Sequence, residues 1–171
     1  GILFVRNIHQ LEPIIHGGGQ EYGVRRGTVN LPMNIAIVKA MKAAVNHTTE
    51  LNHTLNEFNA DLRQFLTGFH GVKLNSPQNS APHILNVGLS GVKGEVLVNA
   101  FSKHNIMLST TSACSSKKAS LNEVLLAMNV PRKQIEGSIR ISMGANTTQE
   151  DIQTFKDNFY KVYEEVRELL V

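Results

Sequence analysis

Apolar residues in the first half of the chain recur every three or four positions, from Ile35 to Phe69. This spacing matches the turn of an α-helix and predicts one helix of roughly ten turns, with Pro32 in its first turn. Such a helix is on the order of 50 Å long, which is more than a domain of this size can cover. We therefore expect it to cross between two lobes. The stripe consists of Ile35, Val38, Met41, Val45, Leu51, Leu55, Phe58, Leu62, Phe65 and Phe69.

Short apolar or alternating runs predict five strands. The first is the Ile-Leu-Phe-Val run at residues 2–5, which opens the chain. The last is at residues 138–143, where polar and apolar residues alternate as they do in a half-buried strand. The other three are predicted at residues 72–74, 84–89 and 106–108.

Two short helices are predicted between these strands. Residues 94–103 suit a helix with Val96, Leu97 and Ala100 facing inward, and residues 121–128 suit another.

The final helix is predicted to open at residues 147–150, where Thr-Thr-Gln-Glu is a capping-box pattern. The order of elements, β-α-β-β-α-β-α-β-α, indicates an α/β fold whose small lobe is of the α+β type. Its sheet is expected to be mostly antiparallel, with helices packed on one face. The apolar stripe of the final helix is Ile152, Phe155, Phe159, Val162, Val166 and Leu169.

The composition fits one compact soluble domain, because 42% of the 171 residues are hydrophobic and 18% are charged. A single cysteine forms no internal disulfide and suits a reducing compartment such as the cytoplasm. The seven histidines are scattered, so no metal site is expected. The net charge of +3 includes no clustered basic stripe, and no apolar run reaches the ~20 residues of a membrane span. We expect neither nucleic acid nor a membrane as partner.

The only cysteine, Cys114, lies in a hydroxyl-rich segment at residues 109–118. The nearest bulky apolar residue on its N-terminal side is Leu108, at the edge of this segment. Lys117 and Lys118 follow the cysteine, and nearby positive charge favours the thiolate. A lone cysteine is more usually a buried small hydrophobic residue. In this setting Cys114 is better interpreted as a nucleophile or a sulfur carrier.

Candidate anion contacts lie near both ends of the chain. The triple glycine at residues 17–19 could cradle an anion with backbone N–H groups, or it could serve only to let the chain turn. Thr28 follows two arginines and a glycine, which suits a phosphate oxygen, although a solvated turn is the commoner explanation. Arg140 alternates with Ile139 and Ile141, so its side chain should face away from them. It is either a surface arginine or a bidentate partner for a carboxylate.

Four segments, taken together and in this order, resemble motifs in the C-terminal part of the cysteine desulfurases, which are pyridoxal-phosphate enzymes of the class V aminotransferase family. The resemblance implies the C-terminal domain of a fold type I transferase. Residues 1–32 would be a remnant of the cofactor-binding domain and a dimer-interface loop, and residues 33–171 would be the connecting helix and the small domain. The matching segments are HGGGQE-x-x-x-R-x-GT at residues 16–28, APHILN at 81–86, SACSS at 112–116 and SIRIS at 138–142.

The resemblance also implies roles for single residues. Cys114 would attack the sulfur of L-cysteine, leaving a persulfide and releasing alanine. Arg140 would bind the substrate carboxylate, and Thr28 would reach the phosphate of pyridoxal 5′-phosphate in the neighbouring subunit of a homodimer. The sulfur would pass to an acceptor or iron–sulfur scaffold protein, for cluster assembly or for thiolation of tRNA or a cofactor. The alternatives are a selenocysteine lyase, an aminotransferase-like relative, or a non-catalytic domain that docks a sulfur acceptor.

The chain departs from the family pattern in two respects. The family's Schiff-base lysine would lie ahead of Gly1, so we expect this chain to be a piece of a longer protein and to be inactive alone. In the cysteine segment, Thr111 replaces the usual glycine, and Lys117 and Lys118 add positive charge. These changes leave the preferred sulfur acceptor open.

Overall fold

The structure is a computed structural model that describes residues 2–110 and 121–167. The chain forms two compact units, Gly1–Thr49 and Glu50–Val171. The first unit contains two 3₁₀ turns, at Ile8–Gln10 and Glu21–Gly23, and the first part of helix α1 (Leu31–Leu66).

The prediction of a strand at residues 2–5 is wrong. The run has no regular structure, and Ile2, Leu3 and Phe4 are exposed. An isolated apolar run has the composition of a strand, but a strand exists only through hydrogen bonds to a neighbour. Within the part of the chain that the structure describes, no segment pairs with these residues.

Helix α1 confirms the prediction of one long helix, since its 36 residues are continuous. Asn30 caps its start, because the Asn30 Oδ1 accepts a hydrogen bond of 3.2 Å from the backbone N–H of Met33. The helix ends at Leu66, before the last member of the apolar stripe, Phe69. Phe69 packs from the following turn instead, with its ring centroid 5.1 Å from that of Phe159.

The apolar stripe of α1 is buried only in the second unit. There Leu55, Phe58, Leu62 and Leu66 enter the core. In the first unit the same stripe is exposed. The exposed members of α1 in that unit include Leu31, Met33, Ile35, Val38, Met41 and Val45.

The second unit is built on a four-stranded sheet. Its strands are β1 (Val72–Leu74), β2 (Ile84–Leu89), β3 (Ser109–Thr110) and β4 (Ser138–Ser142), in the spatial order β1-β2-β4-β3. Every neighbouring pair is antiparallel, which confirms the predicted small antiparallel sheet.

The third predicted strand is misplaced. Residues 106–108 form no strand, and pairing is confined to Ser109 and Thr110. Ile106 and Leu108 still pack against the core. Their burial accounts for the apolar run, although these residues form no hydrogen-bonded strand pair.

Four helices accompany the sheet in this unit: α2 (Gly94–Ser102), α3 (Glu123–Ala127), α4 (Arg132–Glu136) and α5 (Gln149–Val166). Helix α4 was not predicted, because five residues are too few to show a helical period. The second half of α1 shares one core with α2, α5 and the inward residues of β2 and β4. The inward strand residues are Leu85, Val87, Leu89, Ile139 and Ile141.

Two details of the helix predictions are wrong. In α2, Leu97 and Ala100 are buried as predicted, but Val96 is 48% exposed and Phe101 is buried instead. Residues 97, 100 and 101 share a helix face at spacings of three and four, whereas residue 96 lies about 100° away from residue 97.

In α5 the cap lies one residue later than predicted. Thr148 is the N-cap and Asp151 completes the capping box. Thr147 is engaged in the preceding turn, where its Oγ1 accepts a hydrogen bond of 2.9 Å from the backbone N–H of Gly144. The buried stripe from Ile152 to Val166 is confirmed.

The prediction that the helices pack on one face of the sheet is wrong for α4, which lies against the face opposite the core, at one end of the sheet. A Cβ atom added to Gly88 of β2 would lie 2.5 Å from Cγ of Gln134 in α4. At the end of α4, a Cβ atom on Gly137 would lie 1.9 Å from the carbonyl oxygen of Leu89. Only glycine permits backbone approaches this close.

We predict that Gly137→Ala destabilises the chain by about 3 kcal/mol or more, because the backbone of α4 or β2 must move to admit the methyl group. Urea unfolding followed by circular dichroism measures the change. Gly144→Ala is the matched control, since its added Cβ meets no atom within 4 Å. Similar losses in the two variants would contradict the packing of α4 on β2.

A second prediction concerns the capping box of α5. The backbone N–H and then the hydroxyl of Thr148 donate to the Asp151 carboxylate and hold its pKa below the usual range. An ionised Asp151 therefore stabilises the folded chain. This contribution is complete above the unfolded pKa of about 3.9 and disappears as the pH falls through the lower folded pKa.

We expect Asp151→Asn to lower the thermal unfolding midpoint at pH 7, and the difference from the unsubstituted chain to close between about pH 4 and pH 2. Glu150→Gln removes an exposed charge from the same turn and serves as the control. If the difference between the two unfolding midpoints stays constant down to pH 2, the charge of Asp151 does not contribute to the stability of the folded chain.

Candidate functional site

The polar face of the sheet carries Arg140 in its middle. Arg140 on β4 pairs with Asn86 on β2 and with Ser109 on β3, so the three side chains share one face. Ile139 and Ile141, on either side of Arg140, are 0% and 5% exposed in the core. The predicted orientation of Arg140, away from both isoleucines, is confirmed.

The guanidinium of Arg140 is available to an anion. The residue is exposed, and it has no hydrogen bond or ion pair with any residue in the ranges 2–110 and 121–167. A guanidinium presents a planar fork of donors that matches a carboxylate. Because β4 is a central strand with a neighbour on each side, the backbone that carries this guanidinium is held in place.

The segment that carries Cys114 begins beside Arg140. Ser109 pairs with Arg140, Thr110 ends β3, and Cys114 follows Ser109 by five residues. Five residues span at most about 18 Å. Cys114 itself lies outside the described residues, so its predicted exposure stays a prediction. After this segment the described chain resumes just before α3, where the Oδ1 of Asn122 accepts a hydrogen bond of 3.0 Å from the N–H of Leu125 and caps the helix.

A buried polar network supports the row of side chains that contains Arg140. Asn75, just after β1, donates from its Nδ2 to the Oδ1 of Asn86 at 2.6 Å and to the Oγ of Ser138 at 2.9 Å. Gln134 of α4 donates from its Nε2 to the Oδ1 of Asn75. The hydroxyl of Ser138 donates to the backbone carbonyl of Gln134 at 2.7 Å. Asn75, Gln134 and Ser138 are buried.

Sequence reasoning missed this network. Asn75 is about sixty positions from Gln134 and Ser138 along the chain, and polar residues of this kind are usually exposed. The available signals were Asn86, which ends the APHILN motif, and Ser138, which opens the SIRIS motif. The sheet register and the position of α4 bring the four side chains together.

Arg63 holds the β1–β2 connection against α1. Its Nε donates to the Oδ1 of Asn59 at 2.6 Å, and its Nη1 donates to the carbonyl of Ser76 at 2.9 Å. Its Nη2 reaches the carbonyl of Pro77 at 2.8 Å. Ser76 in turn accepts a hydrogen bond of 2.8 Å from the backbone N–H of Asn86. This guanidinium therefore has a structural role that fixes the start of β2.

In the first unit, Arg26 organises the glycine-rich loop. Its Nη1 donates to the carbonyl of Gly17 at 2.9 Å, and its Nε donates to that of Gly23 at 3.1 Å. Gly27 has a φ of +108°, which a residue with a side chain rarely adopts. Thr28 follows in an exposed position.

Thr28 fits a phosphate contact. Its hydroxyl has no hydrogen-bond partner among the residues that the structure describes, and it follows a glycine turn that leaves its side chain accessible. A free hydroxyl donor of this kind suits a phosphate ester oxygen. Thr28 belongs to the first unit and Arg140 to the second.

A cleft of about 400 Å³ lies elsewhere in the second unit, between the end of β4 and the start of α5. Its lining includes Leu108, Ile141 and Asn146 but none of the predicted site residues. Within residues 2–110 and 121–167, no cluster of three or more potential metal ligands occurs. No helix in those ranges is long and apolar enough to cross a membrane.

Comparison with known proteins gives consistent matches along the chain. The family model described as Aminotransferase class-V matches residues 1–155. A NifS/IcsS protein homolog from Lactobacillus delbrueckii subsp. bulgaricus is 35% identical over 166 residues, which cover 96% of this chain and 43% of that protein. Cysteine desulfurase IscS from Clostridium botulinum is 33% identical over 173 residues, which cover 99% of this chain and 44% of that protein.

Solved structures give the same result. A structure described as a NifS-like protein matches with a TM-score of 0.78 and 31% identity, covering 97% of this chain and 42% of that one. The NifS-like protein of Rickettsia africae matches with a TM-score of 0.75 and 26% identity, covering 91% of this chain and 41% of that one. This chain therefore spans less than half the length of these relatives.

Proposed function

Because the chain belongs to the class-V aminotransferase family, we propose that it is the C-terminal part of a cysteine desulfurase. The parent protein would take sulfur from L-cysteine onto Cys114 and release alanine. The relatives named as cysteine desulfurases support this activity, since the chain matches them over nearly its whole length.

The observation that carries the proposal is the pairing of Arg140 with Ser109. It puts a guanidinium that has no partner among the described residues beside the start of the segment that holds the only cysteine. An amino-acid substrate needs a cation for its carboxylate, and a desulfurase needs a thiolate within reach of the substrate sulfur. In this proposal Arg140 is that cation, and Cys114, five residues after Ser109, is that thiolate.

The sulfur transfer balances with one thiolate. The Sγ of Cys114, as thiolate, attacks the Sγ of the substrate, and an S–S bond forms. The substrate Cβ–S bond breaks, its electron pair stays on carbon, and that carbon takes up the proton of the substrate thiol. The products are alanine and the Cys114 persulfide anion. Lys117 and Lys118 would favour the thiolate form of Cys114 before the attack.

The residues present also suit part of a pyridoxal 5′-phosphate site. Thr28 would donate its hydroxyl to the phosphate bound in the neighbouring subunit of a homodimer, and Arg26 would hold the loop in shape. When bound, the cofactor would supply an electron sink for the pair left on the substrate carbon. The proposed activity is that of the parent protein, which would supply the Schiff-base lysine.

The persulfide would be delivered to a second protein. We propose a sulfur acceptor or iron–sulfur scaffold in the cytoplasm, so that the sulfur enters cluster assembly or the thiolation of tRNA or a cofactor. Lys117 and Lys118 follow Cys114 by three and four residues in the sequence, and their positive charge would favour an acceptor with an acidic docking surface.

Cys114→Ala in the full-length parent should abolish sulfide release from L-cysteine and leave no persulfide, because no other thiol on this chain can attack the substrate. Release of sulfide under a reductant and mass spectrometry of the protein measure the two effects. Ser115→Ala is the matched control and should retain activity. Full sulfide release by the alanine variant would favour a lyase or an aminotransferase-like relative.

Arg140→Lys should raise the KM for L-cysteine by about tenfold, because a lysine keeps the charge but loses the bidentate fork. Arg140→Ala should lower kcat/KM by about a hundredfold or more, since both charged hydrogen bonds are lost. Steady-state kinetics of the full-length parent measures these changes. Arg132→Lys, an exposed arginine on α4, is the control. An unchanged KM for L-cysteine in Arg140→Lys would contradict the assignment of Arg140 to the substrate carboxylate.

A further inference from the structure

Asn86 shares the polar face of the sheet with Arg140. The two residues are paired across β2 and β4, and side chains at such positions have Cβ atoms about 4.5–5.5 Å apart. Asn86 is partly exposed, and the only hydrogen bond of its side chain, among the described residues, is made by its Oδ1. Its Nδ2 and the neighbouring guanidinium of Arg140 therefore both have donors that are unused within residues 2–110 and 121–167.

The buried network decides which end of the Asn86 amide lies next to Arg140. The Ser138 hydroxyl donates its proton to the carbonyl of Gln134, which can only accept. Ser138 must then accept from Asn75, so the donor end of the Asn75 amide faces it. The same Nδ2 of Asn75 donates to the Oδ1 of Asn86, and Gln134 satisfies the remaining oxygen of Asn75.

This polarity has two consequences. The Oδ1 of Asn86 is turned toward Asn75, and no hydrogen bond joins it to Arg140, which has no partner among the described residues. The Nδ2 of Asn86 is left as a donor in the same row. Two adjacent donor groups on one face suit a ligand that only accepts, such as a carboxylate with two oxygens and four lone pairs.

We propose that the Nδ2 of Asn86 is a second hydrogen-bond donor to the substrate carboxylate beside Arg140, oriented by the network of Asn75, Gln134 and Ser138. This inference rests on the proposed function, since it assigns a specificity residue to the same site. Arg140 supplies the charge, and Asn86 supplies a directional contact. Together they select a carboxylate over a neutral group of the same shape.

The test measures the binding of L-alanine and L-alaninamide to the full-length, cofactor-loaded parent by isothermal titration calorimetry. The amide has the shape of the carboxylate but no charge and fewer acceptor sites. In Asn86→Asp, the oxygen that accepts from Asn75 is kept and the donor is replaced by a charged acceptor. We expect L-alanine to bind at least about tenfold more weakly, with a much smaller change for L-alaninamide. Asn86→Ala should also reduce the preference for L-alanine over L-alaninamide, because it removes the same donor.

Asn99→Asp, on the exposed surface of α2, makes the same change of charge and should leave both affinities unchanged. Thermal unfolding midpoints of all variants report whether the fold is kept. If the unsubstituted protein does not prefer L-alanine to L-alaninamide, the proposed function fails. If it does, and the Asn86 variants weaken both ligands equally or neither, Asn86 has only a structural role and this inference alone is overturned.

Discussion

The antiparallel pairing of β2 with β4 is the constraint on which both the core and the candidate site depend. It places Val87 opposite Ile139 in the core and Asn86 opposite Arg140 on the polar face. Because side chains alternate along a strand, a slip of one residue would bury the arginine and expose the isoleucines. The apolar content of β4 therefore fixes the direction of Arg140, and the same hydrophobic burial that stabilises the sheet presents a charged group at a defined place.

The polar face of the sheet is organised by close backbone contact and by hydrogen bonds. Gly88 and Gly137 allow α4 to lie against the sheet, which brings Gln134 within reach of Asn75. Every buried side-chain nitrogen and oxygen in the described ranges has a hydrogen-bond partner. Burying such groups is costly unless they are paired, so a complete network specifies one arrangement. The free guanidinium of Arg140 lies outside this network, at the surface.

Arg63 and Arg140 have the same side chain, but the acceptors around each one give them different roles. Arg63 is surrounded by carbonyl oxygens of the β1–β2 connection and uses its donors within the chain. Arg140 has no acceptor among the described residues, and the amide oxygen of Asn86, its partner across the sheet, accepts from Asn75 instead. An arginine whose donors are left unused on a rigid strand is suited to an external anion.

The sequence alone determined the elements with strong periodicity and the residues with unusual chemistry. The helical stripes of α1 and α5, the alternation around Arg140 and the setting of Cys114 are local patterns that depend on neighbours within a few positions. Tertiary contacts select which of these patterns become strands, since residues 2–5 have a strand's composition but pair with no segment in the described part of the chain. The tertiary structure also decided the network of Asn75, Gln134 and Ser138, because contacts between residues about sixty positions apart exist only after the sheet has set its register.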